Sequence, residues 1–361
     1  MLKSHKRVKA LEITAAGQLS ALLKQIPAID PESVNAEFSH GEGRYDLAVQ
    51  LNSSGQKKTF ICEVRASGQP RHVRTAALQL HEYVSRSNWS AIPILIAPFL
   101  SAEAQAICRE YDIGFLDMEG NCRLAFDGIY IERAVPTKPA IQRRELKSLF
   151  KPKSAQVLRV MLRDPVRQWR VTDLSHDAAV SVGHVSNVRT ALIDKEWAAV
   201  GDHGLFLTNP DALLDAWAEA YEKPAGAHIG FYTTLHGAAF DEAAAKAFEQ
   251  MKHTDAWAMF ASFSAARWHA PYARTGTQFL YANDEGVDVL RSLLKLSTAA
   301  KGENVIVTRV DDTDLARDVE HPAPGINTTS LVQTYLDLAI AGERGREAAD
   351  HLRREKLEWT K

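Results

Sequence analysis

The chain has 361 residues, 45% of them hydrophobic and 24% charged, with a formal net charge of −2. That length exceeds one ordinary hydrophobic core, so two or three domains are expected, and the balance excludes a disordered or fibrous chain. No apolar run approaches the roughly 18 residues of a bilayer span and the opening MLKSHKRVKALEI lacks a secretory apolar stretch, so a cytoplasmic protein with no membrane role is expected, and any affinity for nucleic acid has to come from a local patch.

From about 10 to 135, helical and strand patterns mix, and residues 1–137 are read as a first domain. Within it, YDLAV and TFICEVRA suggest two neighbouring strands that bring Asp46 and Glu63 together. Two carboxylates so placed can share Mg²⁺, which favours carboxylate oxygens and keeps several waters. In a nuclease such an ion activates water, helped by a lysine two residues after the second acid. The stretch ALQLHEYV is helical, with Gln79 and Tyr83 one turn apart. The three cysteines, Cys62, Cys108 and Cys122, are odd in number and lack CxxC spacing, so core thiols are expected rather than disulfides or zinc ligands.

These motifs resemble the PD-(D/E)xK nuclease superfamily over about residues 40–130, and Gln79-x-x-x-Tyr83 is similar to the helix motif of its RecB-type branch. The resemblance implies a restriction-endonuclease-like α/β domain in which Asp46 and Glu63 are the metal ligands and Arg65 stands at the catalytic lysine position. Arginine is too basic to take a proton and wider than an ammonium, so the site reads as degenerate. A salt bridge between Asp46 and Arg65, with no metal, is the alternative.

The stretch AVPTKPAIQRRELKSLFKPKS carries three prolines and a basic cluster and reads as a linker. Residues 150–222 follow a helix-turn-helix pattern. Ser154 can cap a helix with Val157, Leu158, Met161 and Leu162 on one face; Thr172 can cap a second; Ser181 can cap a third, running to about Lys195 with Val185, Val188 and Leu192 on one stripe. WAAV and LFLT around GDHG read as a wing, so a winged helix is expected. With the stripe inward, Gly183, Ser186, Asn187 and Thr190 point outward, with His184 and Arg189 on the rim. Such residues suit a major groove, where Asn pairs with adenine edges, while Arg189 is better placed for phosphate. Between 138 and 208 there are twelve Lys and Arg against seven acids, a local surplus of the kind that meets double-stranded DNA.

Residues 226–361 form the last domain, α/β or α+β, with strand-like HIGFYTTL, AWAMFA, TQFLYA and NVIVTRV alternating with helical AAFDEAAAKAFEQM and GVDVLRSLLKL, and a final fifty residues that read as helical. The acids of RVDDTDLARD read as a solvated loop and His269 as a packed residue, while WHAPYAR, with Trp268, Tyr272 and Arg274, reads as a partner-binding turn. Ser264-Ala265-Ala266, Gln333 through Leu338, and Gly342 through Arg346 resemble AbiEi-type antitoxins of type IV toxin–antitoxin systems, over about residues 150–361. That resemblance implies a DNA-binding transcriptional regulator whose C-terminal domain opposes a nucleotidyltransferase toxin; a homodimer is a further possible assembly. A Mg²⁺-dependent deoxyribonuclease targeted by the winged helix, and a protein-interaction scaffold, are the alternatives.

Overall fold

The computed structural model describes residues 2–30, 32, 34–38, 45–53, 55–86, 91–135, 139–272, 275–298, 302–310 and 314–359. By internal contacts the chain divides into two compact units, 1–145 with 190–196, and 146–189 with 197–361. It is an α/β protein with mixed sheets, and among the described residues no helix is long and apolar enough to cross a membrane.

The first unit contains α1 (Leu2–Leu23), β1 (Asn35–Phe38), β2 (Leu47–Ser53), β3 (Gln56–Val64), α2 (Pro70–Arg86), β4 (Ala91–Ala97), α3 (Ala102–Glu110), β5 (Gly114–Asp117), β6 (Cys122–Phe126) and β7 (Ile129–Arg133). The seven strands lie in one sheet in sequence order. Strands β3, β4 and β5 are mutually parallel, and the remaining pairings are antiparallel. The period-2 alternation of side chains divides the strands between two cores. Phe60, Cys62, Val64, Ile94 and Ile96 pack with Ala15, Leu19 and Leu23 of α1, whereas Ile61, Leu95 and Phe115 pack with Val73, Ala77 and Leu80 of α2 and with Ile107 of α3. The three cysteines are buried free thiols.

The expected linker is not extended throughout. Residues Ala140–Leu149 form α4; past Pro139 there is no helix breaker, and Leu149 buries its side chain. Residues 136–138 lie outside the described part.

Next in the chain come α5 (Pro152–Arg163), α6 (Val171–Asp177) and α7 (Val182–Asp194), whose residues from Thr190 on fall in the first unit, followed by the hairpin β8 (Ala198–Gly201) and β9 (Gly204–Leu207) and by α8 (Pro210–Ala220). Three helices followed by a hairpin is the element order that the sequence reading of a winged helix expects. Ser181 caps α7, its hydroxyl accepting the His184 N–H at 3.3 Å. The other two caps differ from the sequence reading. Helix α5 starts at Pro152, which suits a first helical position, so Ser154 lies inside the first turn. Helix α6 follows Arg170, and the Thr172 hydroxyl bonds Asp173 instead. Nor does α5 bury a single face: every residue from Ser154 to Leu162 is buried. The hairpin is anchored beside its turn, where Trp169 exchanges two backbone hydrogen bonds with Leu205 at 2.8 and 2.9 Å.

Beyond α8 come β10 (Gly226–Tyr232), α9 (Ala238–Met251), β11 (Ala258–Phe260), α10 (Ser262–His269), β12 (Gln278–Ala282), α11 (Asp284–Leu293), β13 (Ser297–Thr298), β14 (Val305–Val310), β15 (Val319–Ala323), β16 (Ile326–Thr329), α12 (Leu331–Ala339) and α13 (Gly342–Lys356). The strands form one mixed sheet in the order β13-β10-β14-β12-β11-β16-β15. Phe260 and Leu280 pack with α9 and α11, while Met259 and Tyr281 face the other side. The final fifty residues are not wholly helical. The short VEHPA and INTT runs form the hairpin β15–β16, turned at Gly325.

Candidate functional site

In the first unit, the antiparallel register that pairs Leu47 with Cys62 continues one step, with the Asp46 N–H on the Cys62 carbonyl at 3.0 Å, and so brings Asp46 opposite Glu63. The two acids are neighbours, as their spacing predicts. Asp46 Oδ2 accepts the Val64 N–H at 2.8 Å. Glu63 Oε1 takes Arg65 Nη2 at 2.8 Å, and the same nitrogen donates to Gln79 Oε1 at 2.7 Å. The salt bridge considered from sequence, Asp46 with Arg65, is therefore replaced by Glu63 with Arg65. The reason is geometric: Arg65 directly follows β3, with its N–H still on the Ile96 carbonyl of β4, so it keeps the side-chain alternation and shares a face with Glu63 two residues before it. Tyr83, one turn after Gln79, tilts against Tyr45 with ring centroids 5.8 Å apart. Burial, with the Asp46 charge adding to it, pushes the Glu63 carboxyl up to about 7 against the opposing pull of Arg65.

A Mg²⁺ ion at Asp46 and Glu63 would have to displace a guanidinium from Glu63. Among the described residues no cluster of three or more His, Cys, Asp or Glu side chains could hold a metal. The pair as built does not fit a Mg²⁺ centre, and no hydrolytic step follows from it.

On α7, Val185, Val188 and Leu192 are buried, and Gly183, Asn187 and Thr190 are exposed. Ser186 is half-buried and donates to the Val182 carbonyl at 3.0 Å. Arg189 is half-buried. His184, expected on the rim, is half-buried and lies with Nε2 3.0 Å from the Ser154 hydroxyl of α5. The basic surplus is smaller in space than in sequence. Arg159 and Arg163 pair with Asp318, Arg159 being buried, and Lys147 pairs with Glu222 at 2.5 Å. Lys151, Lys153, Arg167 and Arg170 remain exposed.

Downstream, Gln333 and Asp337 stand one turn apart on α12, both buried. Asp337 Oδ1 accepts from Tyr221 at 2.5 Å, Tyr281 at 2.9 Å and Gln333 at 3.0 Å, and Gln333 Oε1 accepts from Arg159 of α5 at 3.3 Å. Burial raises the Asp337 carboxyl to about 6, against the three hydrogen bonds that favour its charged form. The sequence singled out Gln333 and Asp337 as motif positions but gave no sign that Tyr221, Tyr281 and Arg159 meet them. In α10, Ser264 donates to Gln278 and accepts the Phe279 N–H. A Cβ on Gly345 would lie 2.4 Å from the Leu338 carbonyl oxygen, so the start of α13 approaches α12 too closely for any side chain.

Residues 206–358, which contain Ser264, Gln333, Asp337 and Gly345, match the family model described as a transcriptional regulator, the AbiEi antitoxin of a type IV toxin–antitoxin system. This stretch is AbiEi-like. The AbiEi-like match opens within β9, so α5, α6, α7 and β8 precede it. No curated protein matches the chain. One solved structure, titled "Structure of EndoMS in apo form", is 22% identical with a TM-score of 0.20. It covers 28% of this chain, which spans 45% of that protein; a likeness at that score carries no argument about fold or activity.

His269 is packed: its side chain is 7% exposed, with Nε2 2.9 Å from the Thr328 hydroxyl, and burial lowers its pKa. Trp268 stacks on Phe260, whereas Tyr272 is exposed against His351. Arg274, Asp311 and Asp312 lie outside the described residues.

Proposed function

We propose that this chain is a DNA-binding transcriptional regulator of the antitoxin kind. It reads its operator through the third helix of the winged helix, and its AbiEi-like segment engages a partner, for which a nucleotidyltransferase toxin is the expected class. The observation that carries the reading is the family match over 206–358, joined directly to a helix-turn-helix whose third helix exposes Gly183, Asn187 and Thr190 beside Arg189. An amide at Asn187 suits an adenine edge, and Arg189 suits a phosphate. The Arg65–Glu63 pair argues against the nuclease alternative, because an arginine rather than a lysine stands two residues after Glu63 and its guanidinium occupies that carboxylate.

The test is a gel shift of the full chain on its own upstream DNA across a salt series, with and without Mg²⁺. The expected result is a shift that weakens steeply with salt and leaves the DNA intact. No salt-dependent shift on any duplex sinks the DNA-binding reading; cleavage that Glu63→Ala abolishes restores the nuclease.

A further inference from the structure

We propose that the Arg65 guanidinium is a built-in counter-ion that keeps divalent metal off Asp46 and Glu63, so that removing its charge turns the pair into a cation site. Three observations converge. Arg65 is anchored through its main chain, its N–H donating to the Ile96 carbonyl at 2.8 Å beside β4. Its head group is held through one nitrogen, Nη2, which meets Glu63 at 2.8 Å and donates to Gln79 of α2 at 2.7 Å. The Glu63 side chain is 12% exposed and that of Arg65 33%, so the carboxylate meets the guanidinium more than it meets water.

A carboxylate this buried needs a compensating positive charge, and one cation satisfies it. Arg65 supplies that charge from within the chain, on the Glu63 carboxylate that a metal shared with Asp46 would need. Asp46 contributes the second carboxylate on the adjacent strand, with Oδ2 held by the Val64 N–H. Without Arg65, Glu63 stands beside the Asp46 charge with no cation against it, and Mn²⁺ or Mg²⁺, which take carboxylate oxygens and keep their remaining waters, become the natural replacement. The inference concerns the first unit alone and does not depend on the DNA-binding reading.

The test uses metal-stripped, full-length wild type, Glu63→Gln, Arg65→Gln and the double variant Arg65→Gln/Glu63→Gln. Each is titrated with Mn²⁺ by calorimetry and by the paramagnetic resonance signal of free Mn²⁺. Arg65→Gln is expected to bind one equivalent about tenfold or more tighter than wild type, the effect of removing one close positive charge, and the double variant is expected to return to the wild-type background. Melting temperature gives a second readout and is expected to rise on adding Mn²⁺ in Arg65→Gln only. Three outcomes overturn the proposal. One is an Arg65→Gln titration indistinguishable from wild type. Another is a wild type that already binds one equivalent, lost in Glu63→Gln. The third is an Arg65→Gln protein that fails to fold and is not rescued by Mn²⁺.

Discussion

Asn187 is exposed on α7 while Val188 beside it is buried, so truncating the amide removes a surface group without opening the core. If the amide reads a base, Asn187→Ala is expected to weaken operator binding by about 1–3 kcal/mol with little effect on unrelated duplexes, whereas Arg189→Ala weakens both alike. Quantitative gel shifts on the two DNAs separate these outcomes, and equal losses for both variants remove base readout by Asn187. Asp337 carries a different consequence. Its carboxyl is raised to about 6 by burial, and an unfolded Asp titrates near about 3.9. Between those values the native state holds a proton that the unfolded state has released. The stability this group contributes is therefore fully present below about 4 and is lost as pH rises through about 6. Asp337→Asn is expected to flatten the melting-temperature profile across that window, and a profile with the wild-type slope would discard the assignment. Single positions were unevenly legible in the sequence. The Asp46–Glu63 pair followed from strand register, which is local. Arg159, an ordinary basic residue of a helix in sequence, proved to be buried against Gln333, 174 positions away, and no local pattern reports such a pairing.

At the level of elements, the three helices, the hairpin and the strands β10, β11, β12 and β14 were legible because each follows a clear period or turn. Helix α4 and the hairpin β15–β16 were not. A proline-rich, basic stretch hides a short helix stabilised by burying Leu149, and VEHPA with INTT has too few apolar residues to show alternation. The wing depends on one glycine. Gly204 has φ 143°, and a Cβ there would sit 2.2 Å from the Trp169 carbonyl oxygen. Gly204→Ala is expected to cost about 2 kcal/mol or more through backbone strain and loss of the Trp169–Leu205 bridge. Gly201→Ala is the milder comparison, since its Cβ meets only the Gln168 side chain. Urea denaturation of the two variants checks the order, and equal midpoints would show that the bridge contributes nothing.

Across the second unit, Arg159, Gln333, Tyr221, Asp337 and Tyr281 join α5 to α12 through buried polar side chains. Cutting such a network at one member leaves desolvated partners behind. Arg159→Ala is expected to destabilise the unit by about 3 kcal/mol, while exposed Arg170→Ala stays within about 0.5 kcal/mol. Thermal unfolding followed by near-ultraviolet dichroism measures the difference, and equal effects would deny the network a structural role. The strand orders of the two sheets also bear on synthesis. In the first unit every strand pairs with its neighbour in sequence, so the sheet can zip up progressively as the chain leaves the ribosome. In the second, β10 pairs with β14 and β11 with β16, so Phe260 meets Thr328 and Gly226 meets Val310. Closing such long loops is slow, and no part of the β11–β16 pairing is available before β16 has emerged. Until then β11 presents an unpaired apolar edge, Ala258 to Phe260, to the crowded nascent-chain environment. The second sheet is therefore the part of the molecule most exposed to misassembly and most in need of a chaperone during translation.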